Sequence, residues 1–505
     1  MVRAFALVLP FSYFTCAQAQ TQTVMSAHTL IQTEEQHGSS GTSIEPASTP
    51  VPMLMTVRDG WQLMLHANAF AANTQQQADS PRNRDAFFST NWIMPMAQYA
   101  FGSARPDGDG STGGLLTLRA MLSFEPATIP ARNYPELFQQ GETAYGAPIV
   151  DGQHPHDFFM EVAALYDLHL SKNTLFSVYA APVGDPAIGP TAYPHRQSAS
   201  EDPIAALGHH QEDSTHIAFN VVTGGLTYRW VRAELGGFHG AEPEEAHWHF
   251  QPSPNGLAMD SVATRITVSP TADWTGQYSV AHIHSPEALY PGEDQNRQTA
   301  SVMYHHTFHS RPMSPMQGMS GGSMAGMKMS GTGTTGDSMP GMDMPGMDMA
   351  GMDMAGMAPS NAPSKSHPAK PMMQMTPEPT MDLSTTALWG RTRSLADNSK
   401  ENSYLLEALL RFRSRNYVWT RMENAGRSNE LLLTPGTPLP PNFTELPIGH
   451  VAAYSFGYDH DLPLGPHVLA APGVQFTEYR TPPALRNSYG RAPTGELFFV
   501  RFRLR

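Results

Sequence analysis

Seventeen of the chain's 30 methionines lie between residues 313 and 375. The centre of that stretch is a five-residue repeat, GMDMP at 341–345 followed by GMDMA at 346–350 and 351–355. Glycine, proline and serine around it leave nothing to build a packed core, so the segment is expected to stay disordered on its own. An exposed thioether gains nothing from burial and is open to oxidation. The chemistry that rewards it is soft-metal binding, because a neutral sulfur ligand suits Cu(I) and, by extension, Ag(I). Met342 and Met344, Met347 and Met349, and Met352 and Met354 form pairs two residues apart that can converge on one ion, with Asp343, Asp348 and Asp353 adding negative charge. The bland alternatives are a drifting repeat without a role, or a sacrificial buffer against oxidants.

Histidine is the second concentrated ligand. Fifteen of 22 histidines lie between 154 and 309, and three H-x-H pairs occur, at 154/156, 247/249 and 282/284. On a strand, residues two apart share a face, so His282 and His284 are candidate co-ligands, as are Met303, His305 and His309 on the strand that follows. If that face lines a lumen, it offers a mixed His/Met surface. Any single histidine is more often a hydrogen-bonded polar group or a loop residue. His154-Pro155-His156-Asp157 also has the look of a metal-hydrolase ligand pair, although such enzymes need further distant ligands. His247-Trp248-His249, with Glu242, Glu244 and Glu245 nearby, reads as a surface metal site. No nucleophile elbow, P-loop or dinucleotide fingerprint occurs, so neither a catalytic residue nor an organic cofactor is expected, and the chain reads as a non-enzyme.

The elements that must position these ligands read as strands. From Trp61 onward, short runs of alternating apolar and polar residues recur between Pro-, Gly-, Asn- and Asp-rich segments. Short connections at 171–173, 223–225, 269–273 and 414–416 alternate with long ones at 125–157, 184–213, 239–259, 285–298 and 425–449. That asymmetry predicts an all-β fold, an antiparallel transmembrane β-barrel of about 16 strands. A soluble all-β protein with one wet face gives the same alternation and is the competing fold. In 262–268, Val262, Thr264, Ile266 and Val268 would face lipid, while Ala263, Arg265 and Thr267 would face water. Val231, Ala233 and Leu235 oppose Arg232 and Glu234 in the same way. The end of the chain, FFVRFRLR, alternates as a last strand but closes on Arg505 rather than the usual aromatic residue.

Charged residues are only 15% of the chain and the net charge is -14, so a highly charged disordered chain is excluded and nucleic acid is not an expected partner. Residues 1–19 read as an export signal: Arg3, an apolar run over 4–14, and Ala17-Gln18-Ala19 as the cleavage site. The one cysteine, Cys16, lies inside it, so the exported chain has no thiolate ligand or disulfide. Residues 20–56 read as a flexible N-terminal arm, 57–312 as the first part of the barrel, 313–375 as the Met-rich insert, and 376–505 as the second part. Counting ten strands before the insert places it on the side of the short turns, the periplasmic side.

The repeat GMDMAGMDMAGM resembles those of the copper resistance B outer-membrane proteins. The resemblance covers the insert and the broad architecture, and departs in position: there the Met-rich part precedes the barrel, and here it interrupts it. It implies copper binding, tolerance or transport at the bacterial outer membrane. The reading is therefore an outer-membrane barrel that binds copper, as Cu(I), or another soft metal ion. Lipid, soft metal ions and a periplasmic metal-handling protein are its expected partners. The alternatives are a general porin or surface barrel with no metal role and, further off, a secreted metal-dependent hydrolase.

Overall fold

The computed structural model describes residues 27–79, 81–102, 113–214, 218–243, 245–249, 258–309 and 379–504. The export signal and the Met-rich insert lie outside the described residues. Sixteen antiparallel strands form a closed barrel. They are β1 Trp61–Gln77, β2 Asn91–Gly102, β3 Gly113–Leu122, β4 Phe159–Ser171, β5 Thr174–Gly184, β6 Ala218–Tyr228, β7 Val231–His239 and β8 Ser261–Thr271. The second half is β9 Trp274–Ile283, β10 Gln295–His309, β11 Pro379–Ser394, β12 Lys400–Phe412, β13 Asn416–Ser428, β14 Pro447–His460, β15 Val468–Arg480 and β16 Thr494–Leu504. Sequence neighbours pair with each other, and β16 returns to β1, with Arg503 opposite Asn68 and Thr494 opposite Gln77. Closure removes the sheet edges that a flat sheet would leave unpaired. The last strand therefore closes the ring despite its charged end.

The two faces separate as the alternation predicts. Val262, Ile266, Leu235, Leu226, Phe456 and Phe498 are among the exposed side chains of the outer face, while Arg265, Arg232 and Arg501 are buried on the inner one. An outer band of large apolar residues fits hydrocarbon and would be costly in water. Tyr228, Trp230 and Trp274 stand exposed at the tight turns, where an aromatic girdle meets the headgroups. One expected turn is misplaced: Thr223-Gly224-Gly225 lies inside β6, and the chain reverses at Arg229-Trp230, with Arg229 at φ 56°. Gly225 imitates a turn signal because it clears space. A Cβ there would sit 2.7 Å from Ser177 Oγ and 2.8 Å from an Arg232 nitrogen. The tenth strand ends, and the eleventh begins, at the rim that carries the tight turns.

The N-terminal segment expected to be a flexible arm is folded within the barrel from residue 27 to 53. Helix α1 (Leu30–Gln36) starts at Thr29, whose hydroxyl accepts from Gln32 N at 3.3 Å, and ends at His37 in the left-handed conformation. The T-x-x-Q pattern at 29–32 is a capping signature. The wall then grips the segment with charge. Arg119 makes a bidentate pair with Glu161, both at 2.8 Å, and donates to the carbonyls of His37, Ser39 and Gly41 at 3.1, 2.5 and 2.6 Å. Glu35 meets His169 at 2.5 Å, His37 meets Asp167 at 2.7 Å, and Glu34 pairs with Arg232. From the opposite rim, residues 123–158 and 185–214 also fold inward. Arg196 of the second of these segments is fully buried between Asp213 (3.1 Å) and Glu407 of β12 (2.6 Å).

Removing one partner of a buried, hydrogen-bonded ion pair costs about 3–5 kcal/mol. Arg119→Met should keep the heat-modifiable gel migration of a folded barrel, yet open residues 27–53 to added protease. Protection equal to that of the parent chain would contradict the grip described here.

Candidate metal centre

The two inward-folded segments bring four ligand groups together. Glu142 stands in a short hairpin formed by Glu142–Ala144 and Ala147–Ile149, and His154 follows the pairing of Gly152–Gln153 with Tyr134–Pro135. The other segment supplies His209 and His210 at the start of the turn-long helix α2 (His209–Glu212). Around Glu142 Oε1, the Nε2 atoms of His210, His154 and His209 lie at 3.2, 3.5 and 3.7 Å. A tetrahedron with metal–nitrogen bonds of 2.0–2.1 Å has edges of about 3.3 Å, and the ligand atoms of Glu142, His209 and His210 all lie within 4.8 Å of one another, with His154 beside Glu142 but outside that group. Two imidazoles and a carboxylate are a donor set for borderline divalent ions such as Zn(II), Cu(II), Ni(II) or Co(II).

The surroundings orient the ligands. Gln153 donates to Glu142 Oε1 at 2.5 Å and the His154 amide to Oε2 at 2.8 Å, while His209 Nδ1 lies 2.7 Å from the Ala206 carbonyl. Burial works against the Glu142 carboxylate, but His154, His209 and His210 outweigh it and hold the group well below the usual carboxylate range. Burial, reinforced by His209, pushes the His210 imidazole down to about 3, which keeps it neutral as a ligand must be.

His210 also lines a cavity of about 160 Å³ at the long-loop end of the barrel. Glu242, Glu287, Glu293, Asp397, Glu401 and Glu445 surround it, against Arg297 and Arg427. Burial and then Glu445 push Glu287 up to about 8. Carboxylates crowded in this way hold protons near neutral pH, and a cation entering the mouth would displace them.

The candidates named from sequence are placed as follows. His282 and His284 do meet, on Asp294, at 3.6 and 2.7 Å, but at the rim: His282 falls on the outer face of β9, so neither lines the lumen. Met303 and His305 share the inner face as expected, each 1% exposed. His305 Nδ1 is 3.0 Å from Ser48 of the N-terminal segment. The side chain of His309 lies outside the described residues, as do Met342, Met344, Met347, Met349, Met352 and Met354. The 154/156 pair does not chelate as a unit. His156 is engaged by Glu125 at 2.8 Å, and His154 instead approaches Glu142 at 3.5 Å. His247 is held by Asp157 at 2.5 Å and Glu245 by the Tyr145 and Gly146 amides, so these groups dock one loop on another. Glu142 was missed because carboxylates are common and its partners lie 12 to 68 residues away.

No family model matches the chain, and no curated protein matches it. Solved structures with a similar course of strands include an anion-selective porin from Comamonas acidovorans (9% identity, 88% of this chain and 99% of that one, TM-score 0.41). Others are a Salmonella typhi OmpF complex with daunomycin (8%, 89% and 99%, TM-score 0.44) and Pseudomonas putida OprB (6%, 88% and 94%, TM-score 0.42). The closed ring and its apolar outer band decide the location. This protein is a bacterial outer-membrane β-barrel. In such a barrel the tight turns and both chain ends face the periplasm and the long loops face outward, which puts the acidic mouth and the Glu142 group toward the exterior.

Glu142→Gln should lower the affinity of the full chain for Co(II) about tenfold or more, on the scale set by disturbing a metal site. The check is the visible absorption of the low-symmetry cobalt complex during titration. An unchanged band and affinity would remove Glu142 from the ligand set.

Proposed function

We propose that the protein is an outer-membrane channel for small polar solutes, held closed by segments of its own chain. The observation that carries this reading is the charged inner wall clamped onto residues 27–53, 123–158 and 185–214. A barrel with an apolar exterior and a polar interior can carry solutes across the membrane, and clamped infill supplies a gate. A cavity of about 350 Å³ remains between the N-terminal segment and the wall. Arg411, Arg501 and Arg503 face it together with Asp382 and Asp461, a mixed charge lining suited to polar solutes in general.

A second, narrower reading gives the channel a metal cargo. It is favoured by the acidic mouth that opens onto His210, and it accords with the Met-rich repeat and its resemblance to copper resistance B proteins. In this reading carboxylates gather cations, imidazoles hold them, and movement of the infill releases them inward. A periplasmic metal carrier would then receive the ion.

Proteoliposomes carrying the Arg119→Met variant, whose hold on residues 27–53 is released, separate the two. Swelling in arabinose reports general permeability, and an entrapped fluorescent chelator reports entry of Co(II) or Cu(II). Passage of both at comparable rates is the result expected of a general channel, and passage of cations alone that of a metal channel. Passage of neither above protein-free vesicles would contradict the channel reading.

A further inference from the structure

The inner wall carries a second concentration of methionine, separate from the repeat. Seven of the thirteen methionines outside residues 313–375 gather in one buried cluster around Trp92. Strand register explains the gathering. His66 of β1 stands opposite Met94 of β2, Met64 opposite Met96, and Met121 of β3 opposite Glu161, the neighbour of Met160 on β4. An inward row of imidazole and thioethers therefore runs across four adjacent strands.

His195, from the inward-folded segment 185–214, reaches down onto this row. Its Nε2 lies 3.1 Å from Met121 Sδ, and its ring is 4.2 Å from Trp92 and 6.1 Å from His66, centroid to centroid. The Nδ1 atoms of His66 and His195 are buried without a hydrogen-bond partner among the described residues. Met121, Met160, His195 and Asp185 line the same small cavity. Leucine would pack this wall equally well without sulfur, so packing alone gives no reason for methionine at so many inward positions.

We propose that His195 and Met121, with Met160 and Met94 beside them, form a binding site for a soft monovalent cation, Cu(I) or Ag(I), inside the barrel. Thioether and neutral imidazole are soft or borderline ligands that suit such ions. Neutral ligands leave a single positive charge to compensate, and Asp185 stands at the same cavity to balance it. The site goes beyond the channel reading and is independent of it: a channel without this site still conducts, and a site without a channel still binds.

Trp92 provides the readout, because it touches His195 and no tryptophan occurs between residues 313 and 375. Silver nitrate is titrated into the full chain in chloride-free detergent until all uptake ceases, with tryptophan emission followed throughout. The expected result is quenching that disappears in Trp92→Phe and requires at least tenfold more silver in the Met121→Leu, Met160→Leu double variant and in His195→Gln. Heat-modifiable migration confirms that each variant is folded, and the leucine pair preserves packing volume if His195→Gln is not. Silver uptake with no Trp92-dependent quenching would place all binding in the repeat and overturn the proposal. Quenching that persists unchanged in the folded leucine double variant would overturn it equally.

Discussion

Charge on the inner wall is the constraint from which the rest of the structure follows. A strand that spans lipid keeps its charged residues on one face, and Arg119, Arg232, Arg265, Arg421, Arg427 and Arg501 are accordingly all buried inward. In a wide aqueous pore such side chains are solvated. In a filled lumen each must find acceptors, because an uncompensated buried charge is among the most costly defects in a protein. The infilling segments supply those acceptors. Arg421 takes the carbonyls of Ile204 and Ala205, both at 3.1 Å, and the Asp202 carboxylate at 3.0 Å. Arg265 spans Glu234, the Gly189 carbonyl at 3.0 Å and Thr42 at 2.7 Å, joining wall, loop and N-terminal segment in one group. Gly41 fits only because it lacks a side chain: its φ is 60°, and a Cβ would lie 2.7 Å from Asp185 Cβ.

The same clamping positions the ligand groups. Loops that hung freely outside the barrel could not hold Glu142, His154, His209 and His210 within a few ångströms. Loops fixed to wall arginines can. Leu207, just before the histidine pair, accepts from Arg427 at 2.5 Å through its carbonyl and donates to Glu423 at 2.5 Å through its amide. His195 is set over the methionine row by the segment that Arg196 anchors. Carboxylates at the mouth, imidazoles on the loops and thioethers on the wall thus form three zones of increasing softness within one barrel. The infill and the ligand groups depend on the same ion pairs, so a movement that breaks the pairs would disturb the ligand sets as well.

Much of the barrel was legible because a strand's period of two is local. Val262 through Val268 carries its lipid and lumen faces in seven residues, and Ser171-Lys172-Asn173 marks its own turn. What was not legible depended on partners distant in sequence. Gly224-Gly225 reads as a turn until Arg232 is seen to need the space. Residues 27–53 are rich in Ser, Thr, Gln and Pro, which reads as a flexible arm, since nothing in that stretch reveals that a wall of arginines and carboxylates will receive its carbonyls and side chains. The capping pattern at Thr29–Gln32 was a local signal for the helix inside it. The metal centre divides in the same way. The abundance of histidine pointed to ligands, but the choice of His154 over His156 is made by Glu125, which engages His156 from a separate part of the loop. Met64, Met94, Met96, Met121 and Met160 passed as ordinary core residues because only strand register shows them to be neighbours.

The central claim is that the barrel's own N-terminal segment closes it, and electrical recording across a planar bilayer tests this most directly. The full chain and a refolded chain lacking residues 27–53 would be inserted singly and held at constant voltage. The account predicts long closed periods for the full chain and shorter or rarer ones for the shortened chain, in which residues 123–158 and 185–214 still lie in the lumen. A large steady current through the full chain, or the same closed behaviour in both, would contradict it.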